Sequence, residues 1–169
     1  MAKTYRVTAA RRLINRIFSL LTRHGVGASY RHIHTVPGRK TGRLYSTPVD
    51  IIEFDGQRWL IAGYGPATWT KNVRAAGEVT LTRGGASRRF ATKTAKREEA
   101  IGPLRIYIQK IRVTRPYFDA RPDSPDDAIA AEFDRHPVFR LVSSDNEGAR
   151  PSILPSHGVD GSGSRREQR

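Results

Sequence analysis

The sequence predicts a small α+β domain whose short antiparallel strands form a barrel-like set. Three observations point there. Apolar and β-branched residues gather in short runs; the pairs Asp55-Gly56 and Gly84-Gly85 join consecutive runs as hairpins; and helical patterns fall between and after the hairpins, not in the strict alternation of βαβ winding. At 169 residues and 18.9 kDa the chain fits one domain with a core that needs no staples.

Taken in order, Ala10, Leu13, Ile14, Ile17, Leu20 and Leu21 recur at helical spacing over Thr8 to His24, with Arg11, Arg12, Arg16 and Arg23 interspersed and Gly25 as a stop. This basic amphipathic segment reads either as a helix laid over the core or as a peripheral membrane contact. His32 to Val36 is a short strand that runs into the Gly-bounded turn Pro37 to Arg43. Leu44 to Phe54 and Arg58 to Tyr64 are strands about Asp55-Gly56, a pair suited to a type I′ turn because both central residues need positive φ. Gly65-Pro66 ends the second strand, and Thr68 to Ala76 fits a helix with Thr68 as N-cap and Gly77 as stop. Val79 to Arg83 and Ser87 to Thr92 pair about Gly84-Gly85. Lys96 to Val113 is helical, with Gly102-Pro103 as an interruption; Pro125 to Arg135 is helical, and Pro137 to Leu141 is a closing strand. From residue 143 the Ser, Gly, Pro and Arg content predicts a disordered tail. No internal repeat is found.

The formal charge is +14, and its placement matters more than its total. Residues 1 to 43 hold ten Lys or Arg and no acid, and the first carboxylate is Asp50. Such an arm attracts polyanions: nucleic acid, an anionic membrane surface, or a small ligand with several negative groups. After position 43 the chain is nearly balanced, with 20 basic and 16 acidic residues. The absence of cysteine excludes disulfides, thiolate metal sites, iron–sulfur clusters and cysteine nucleophiles. With neither a secretory signal pattern nor a long apolar run, the expected location is cytoplasmic, with the inner membrane face as the variant that the Thr8 to His24 segment would support.

Two stretches could carry chemistry. In the turn Gly38 to Arg43, backbone N–H groups, Arg39, Lys40, Arg43 and the Thr41 hydroxyl could cradle a phosphate or carboxylate, or simply keep a hairpin soluble. It is not a Walker A loop, which needs wider glycine spacing. On the short helix, Trp69, Lys71 and Asn72 could stack on a planar ring and bond its polar edge, or Trp69 could plug the barrel. The five histidines lack metal-ligand spacing, so no metal site is expected. Asp123, Asp126, Asp127, Glu132 and Asp134 read as a helix N-terminus and its exposed face.

In combination these motifs are recognisable. Gly38-Arg39-Lys40-Thr41-Gly42, then Thr47-Pro48-Val49, the Asp55-Gly56 hairpin, Trp69 to Val79 and Arg135 to Leu141, in that order, resemble the deazaflavin-dependent nitroreductase family over about residues 10 to 142. The resemblance implies a split β-barrel related to flavin-binding and pyridoxamine-oxidase-like domains, spanning 29–142 here, preceded by the 1–28 basic helix and followed by the 143–169 tail. It implies coenzyme F420, a deazaflavin with a phosphate and an oligoglutamate tail, and hydride transfer to a quinone, nitroaromatic compound, enone or other activated double bond.

Carried over position by position, Arg39, Lys40 and Thr41 would bind the phosphate and tail. Tyr45, Ser46, Thr47, Pro48, Val49 and Asp50 would line the strand beneath the coenzyme. Ala62, Gly63, Tyr64 and Gly65 would lie along its ring, and Thr68, Trp69, Thr70, Lys71 and Asn72 would complete the pocket. A tyrosine of the C-terminal helical region would meet the acceptor and give the proton, Tyr117 first and Tyr107 second. Tyr64-Gly65 departs from the Ser-Lys that some members carry, which alters the ring environment. FMN is a competing cofactor on the same fold. The partner expected is a small-molecule electron acceptor, not nucleic acid, with the chain a monomer or homodimer. The rival class is a basic polyanion-binding module.

Overall fold

The computed structural model describes residues 28–143, and the Thr8 to His24 helix and all of the tail beyond Ser143 lie outside them. Six strands, β1 (Arg31–Pro37), β2 (Leu44–Phe54), β3 (Gln57–Ile61), β4 (Glu78–Arg83), β5 (Ala86–Thr94) and β6 (Val138–Ser143), close into a barrel in the order β1-β2-β3-β6-β5-β4. Every pair is antiparallel, and β4 returns to β1 through Ile33↔Thr82, His34↔Leu81 and Thr35↔Thr80. Closure gives every strand a partner on each side over part of its length. The long β2 serves two neighbours: Leu44 to Asp50 pair with β1, and Ile51 to Phe54 with β3.

Period-two alternation divides two cores. Val36, Val49, Ile51, Leu60, Val79, Leu81, Phe90, Phe139 and Leu141 fill the barrel. Their neighbours Ile52, Trp59, Ile61 and Val138 point outward beneath the helices α2 (Arg97–Lys110) and α3 (Asp126–Ala131), joined by Leu104, Tyr107, Ile108 and Ile129. The helix α1 (Thr68–Ala76) contributes Val73 to the barrel interior, with Trp69 and Ala76 packed against it.

Both glycine hairpins form as expected, with φ of 50° and 66° at Asp55 and Gly56, and 57° and 78° at Gly84 and Gly85. Other boundaries differ for local reasons. The third strand stops at Ile61, not Tyr64, because the chain turns: the Gly65 N–H bonds the Ala62 carbonyl (2.8 Å) with Gly65 at φ 90°. Thr68 is the first residue of α1 and not its cap; extended Ala67 holds that place without a side-chain bond, and the Thr70 hydroxyl donates to its carbonyl (2.8 Å). Pro103 lies inside α2 without breaking it, and a Cβ at Gly102 would run into the Phe54 ring, so glycine lets the helix lie against β2. Beyond Lys110 the chain tightens into a 3-10 turn over Arg112–Tyr117, and beyond Ala131 into another over Glu132–Asp134. Ser143, placed in the tail by composition, ends β6 opposite Phe90. Among the described residues no helix is long and apolar enough to cross a membrane.

Candidate active site

The β1–β2 turn is built around its glycines. Gly42 adopts φ 68°, and a Cβ on Gly38 would stand 2.6 Å from the Tyr45 ring, so one glycine meets a backbone need and the other a close approach. The N–H groups of Gly38, Thr41 and Gly42 bond carbonyls within the turn, and that of Arg43 reaches the Thr41 hydroxyl (3.4 Å). Backbone donors expected to face an anion are thus largely spent inside the loop. Its anion-binding capacity resides in the exposed side chains of Arg39, Lys40, Thr41 and Arg43.

The turn is fastened to α1. The backbone N–H and Nη1 of Arg39 both donate to Oδ1 of buried Asn72, at 3.3 and 3.2 Å. This ties the turn that carries Arg39, Lys40 and Thr41 to the helix that carries Thr68, Trp69, Thr70, Lys71 and Asn72. Within it Thr70 is buried and Lys71 exposed. No acidic residue occupies the first turn of α1, so its positive end is not offset there.

The β2 run does not present one surface. Val49 faces the barrel core, and Tyr45 and Thr47 share its side by alternation; Ser46, Pro48 and Asp50 face outward. The Ser46 hydroxyl bonds that of Thr35 (2.8 Å), and Asp50 accepts from Arg31 Nε (3.0 Å). Asp50 also raises the Arg31 guanidinium against the opposing effect of burial. On the inward side, opposite Thr47 and Leu81, His34 is fully buried with its ring 4.8 Å from that of Trp69. Among the described residues neither imidazole nitrogen has a hydrogen-bond partner, and burial lowers its pKa to about 4.

The outward face continues to the Ala62–Gly65 turn. Tyr64 is half-exposed and meets Tyr117 edge to face, centroids 5.0 Å apart. Tyr107 lies deeper, 2% exposed, its ring so close over Gly63 that a Cβ there would collide with it. Burial, then the charge of Asp50, pushes the Tyr107 phenol up, so it stays protonated at all ordinary pH. Ala62, Gly63, Tyr64 and Tyr117 therefore share one region with Arg31 and Asp50, while Tyr107 forms its floor.

Two groups there escaped sequence reading. Glu132, read as part of an exposed acidic face, is 1% exposed; its Oε1 accepts the N–H groups of Asp119 (2.7 Å) and Ala120 (2.6 Å), and Oε2 pairs with Arg135 (2.7 Å). His136 is buried between the carbonyls of Ala62 (3.0 Å from Nδ1) and Tyr117 (3.1 Å from Nε2). Burial pulls its pKa below the usual value, while the Ala62 carbonyl, Glu132 and the Tyr117 carbonyl pull the other way. The remaining Asp126 and Asp134 do lie exposed, accepting from Arg105 (2.6 Å) and Arg97 (2.7 Å). No group of three metal-ligating side chains occurs among the described residues.

A family model described as F420H(2)-dependent quinone reductase matches residues 21–130. No curated protein matches the chain. A solved structure described as a domain-swapped dimer is 20% identical, covers 78% of this chain and 96% of its own, and superposes with a TM-score of 0.51, which shows the same fold. A second, described as an F420-H2 dependent reductase (FDR-A), is 23% identical over 67% of this chain and 94% of its own, with a TM-score of 0.42.

Proposed function

The chain belongs to the F420H(2)-dependent quinone reductase family and is an oxidoreductase that uses coenzyme F420; from this premise we propose that it reduces a quinone to the quinol at a site between the Arg39 turn and the Tyr64–Tyr117 pair. The observation that carries the reading is the pair of hydrogen bonds from Arg39 to Asn72, which fastens a cationic turn free of carboxylates to a helix without acidic residues in its first turn. That donor set suits a coenzyme with a phosphate and several carboxylates.

In this reading Arg39, Lys40 and the Thr41 hydroxyl hold the phosphate and tail, and Lys71 adds charge from α1. Trp69 and Thr68 bound the pocket beside the turn, with Thr70 and Asn72 supporting them from beneath. Of the β2 run, the outward Ser46, Pro48 and Asp50 would meet the ring, while Tyr45, Thr47 and Val49 support them from the barrel side. Gly63 and Gly65 would let the chain pass close, with Tyr64 beyond them on the side of the acceptor. Reduced F420 supplies the hydride from C5 of its ring when bound. The protein's share is orientation, exclusion of water and management of one proton. The Tyr117 hydroxyl is assigned to the acceptor oxygen, as donor to the developing quinol; Tyr107, sealed over Gly63, is assigned to the wall.

Oxidation of reduced F420 by a soluble benzoquinone, with a nitroaromatic compound and an enone as parallel acceptors, tests the proposal. Turnover with the quinone that Tyr117→Phe slows supports it; no turnover with any of the three refutes it.

A further inference from the structure

Tyr64 and Tyr117 meet edge to face, yet they belong to segments that no backbone hydrogen bond joins among the described residues. Tyr64 rides on the turn that opens at Ala62, and Tyr117 ends the 3-10 turn that follows α2. A side chain lies between the two backbones. His136, immediately before β6, faces the Ala62 carbonyl with Nδ1 and the Tyr117 carbonyl with Nε2; the neutral ring donates to one of them and packs against the other, and the imidazolium donates to both. Phe118 stacks flat on the imidazole, centroids 3.8 Å apart and planes 16° apart, which fixes the ring's rotation. Glu132 Oε2 stands 3.5 Å from Nε2, and the other oxygen of the same carboxylate holds the N–H groups of Asp119 and Ala120. The stretch that carries Tyr117 is therefore held at its carbonyl by His136 and just beyond by Glu132.

We propose that His136 is a positioning residue for the acceptor: by lying between the carbonyls of Ala62 and Tyr117 it sets the two tyrosine rings against each other and so fixes the wall that the pair presents to the acceptor. It touches neither coenzyme nor acceptor. The inference rests on the reading that Tyr64 and Tyr117 face the acceptor. A side chain that served only the stability of the fold would affect coenzyme and acceptor alike, whereas a clamp on the tyrosines acts on the acceptor alone.

The test uses the full chain. In His136→Asn the amide nitrogen falls near the place of Nδ1 and can donate to the Ala62 carbonyl; in His136→Gln it falls nearer Nε2 and can donate to the Tyr117 carbonyl; His136→Ala does neither, so the variant that spares the KM identifies the nitrogen that carries the proton. The expected result is a KM for a soluble benzoquinone raised about tenfold in the Ala variant and less in Asn or Gln, with the Kd for F420, read by fluorescence, within about twofold of wild type. Phe118→Leu, which retains the imidazole and removes the ring stacked on it, is a milder variant expected to raise the same KM should the others not fold. A wild-type quinone KM in every variant that folds, or a coenzyme Kd that worsens in parallel with KM, overturns the proposal. Tyr64→Ala and Tyr117→Ala separate the two levels. If these leave the quinone KM unchanged, the assignment of the acceptor site has failed; if they raise it while the His136 and Phe118 variants do not, the clamp has failed.

Discussion

Asn72 Oδ1 accepts from both the backbone N–H and Nη1 of Arg39, so a single carbonyl oxygen joins the β1–β2 turn to α1. Asn72→Ala removes that shared acceptor and leaves the turn held only by its own bonds. Coenzyme affinity should fall by about 1–2 kcal/mol, roughly five- to thirtyfold in Kd, through a less ordered Arg39. Titration of the variant with F420 checks this, and an unchanged Kd means the turn needs no such anchor.

Arg39 and Lys40 carry the charge in this arrangement. Replacing both by Ala should weaken F420 binding by a few kcal/mol in total if each makes charge-assisted hydrogen bonds. The remaining affinity should depend less steeply on salt, since fewer ionic contacts are left to screen. Titrations at low and high salt measure both effects.

How far the sequence revealed this molecule depended on whether each feature is local. The Asp55-Gly56 and Gly84-Gly85 hairpins were legible because positive φ is a property of the residues themselves, and the Gly38 to Arg43 turn likewise. The Arg31–Asp50 pair was not, since it exists only through the β1–β2 register. Nor was the division of the β2 run into two faces, because alternation shows that faces exist without showing which one the barrel encloses. Glu132 was misjudged because a charged residue in a helical stretch ordinarily faces water, and here Arg135 and the backbone N–H groups of Asp119 and Ala120 provide the partners that make burial tolerable; His136 carried no signal of the two carbonyls it lies between, since they come from distant segments. Pro103 lies inside α2, beside a Gly102 that packs closely on Phe54.

His34 makes stability acid-sensitive. Its folded pKa of about 4 lies below the ordinary value of 6.5, so the folded state resists a proton that the unfolded chain accepts. The contribution is complete above about pH 6.5 and is lost as pH falls toward 4, to the extent of about 3 kcal/mol. His34→Phe, which keeps an aromatic ring under Trp69, should flatten the decline in Tm between pH 7.5 and 4.5. A decline as steep as in wild type would show that other groups carry it.

Gly63 leaves room for Tyr107. Gly63→Ala forces the Tyr107 ring or the Ala62–Gly65 turn to shift, an overpacking cost of about 1–3 kcal/mol. Because that turn carries Tyr64, quinone turnover should suffer as well as Tm. Denaturant unfolding with steady-state kinetics on the same variant measures both, and wild-type stability would mean that the contact relaxes without cost.

The most direct test is titration of the purified full chain, wild type and Arg39→Ala/Lys40→Ala, with F420 and separately with FMN. Saturable micromolar binding of F420 by wild type, weakened strongly in the double variant and not matched by FMN, is the expected result. Absence of saturable F420 binding, tighter binding of FMN, or an F420 affinity indifferent to the loss of both cations would contradict the placement of the coenzyme on this turn.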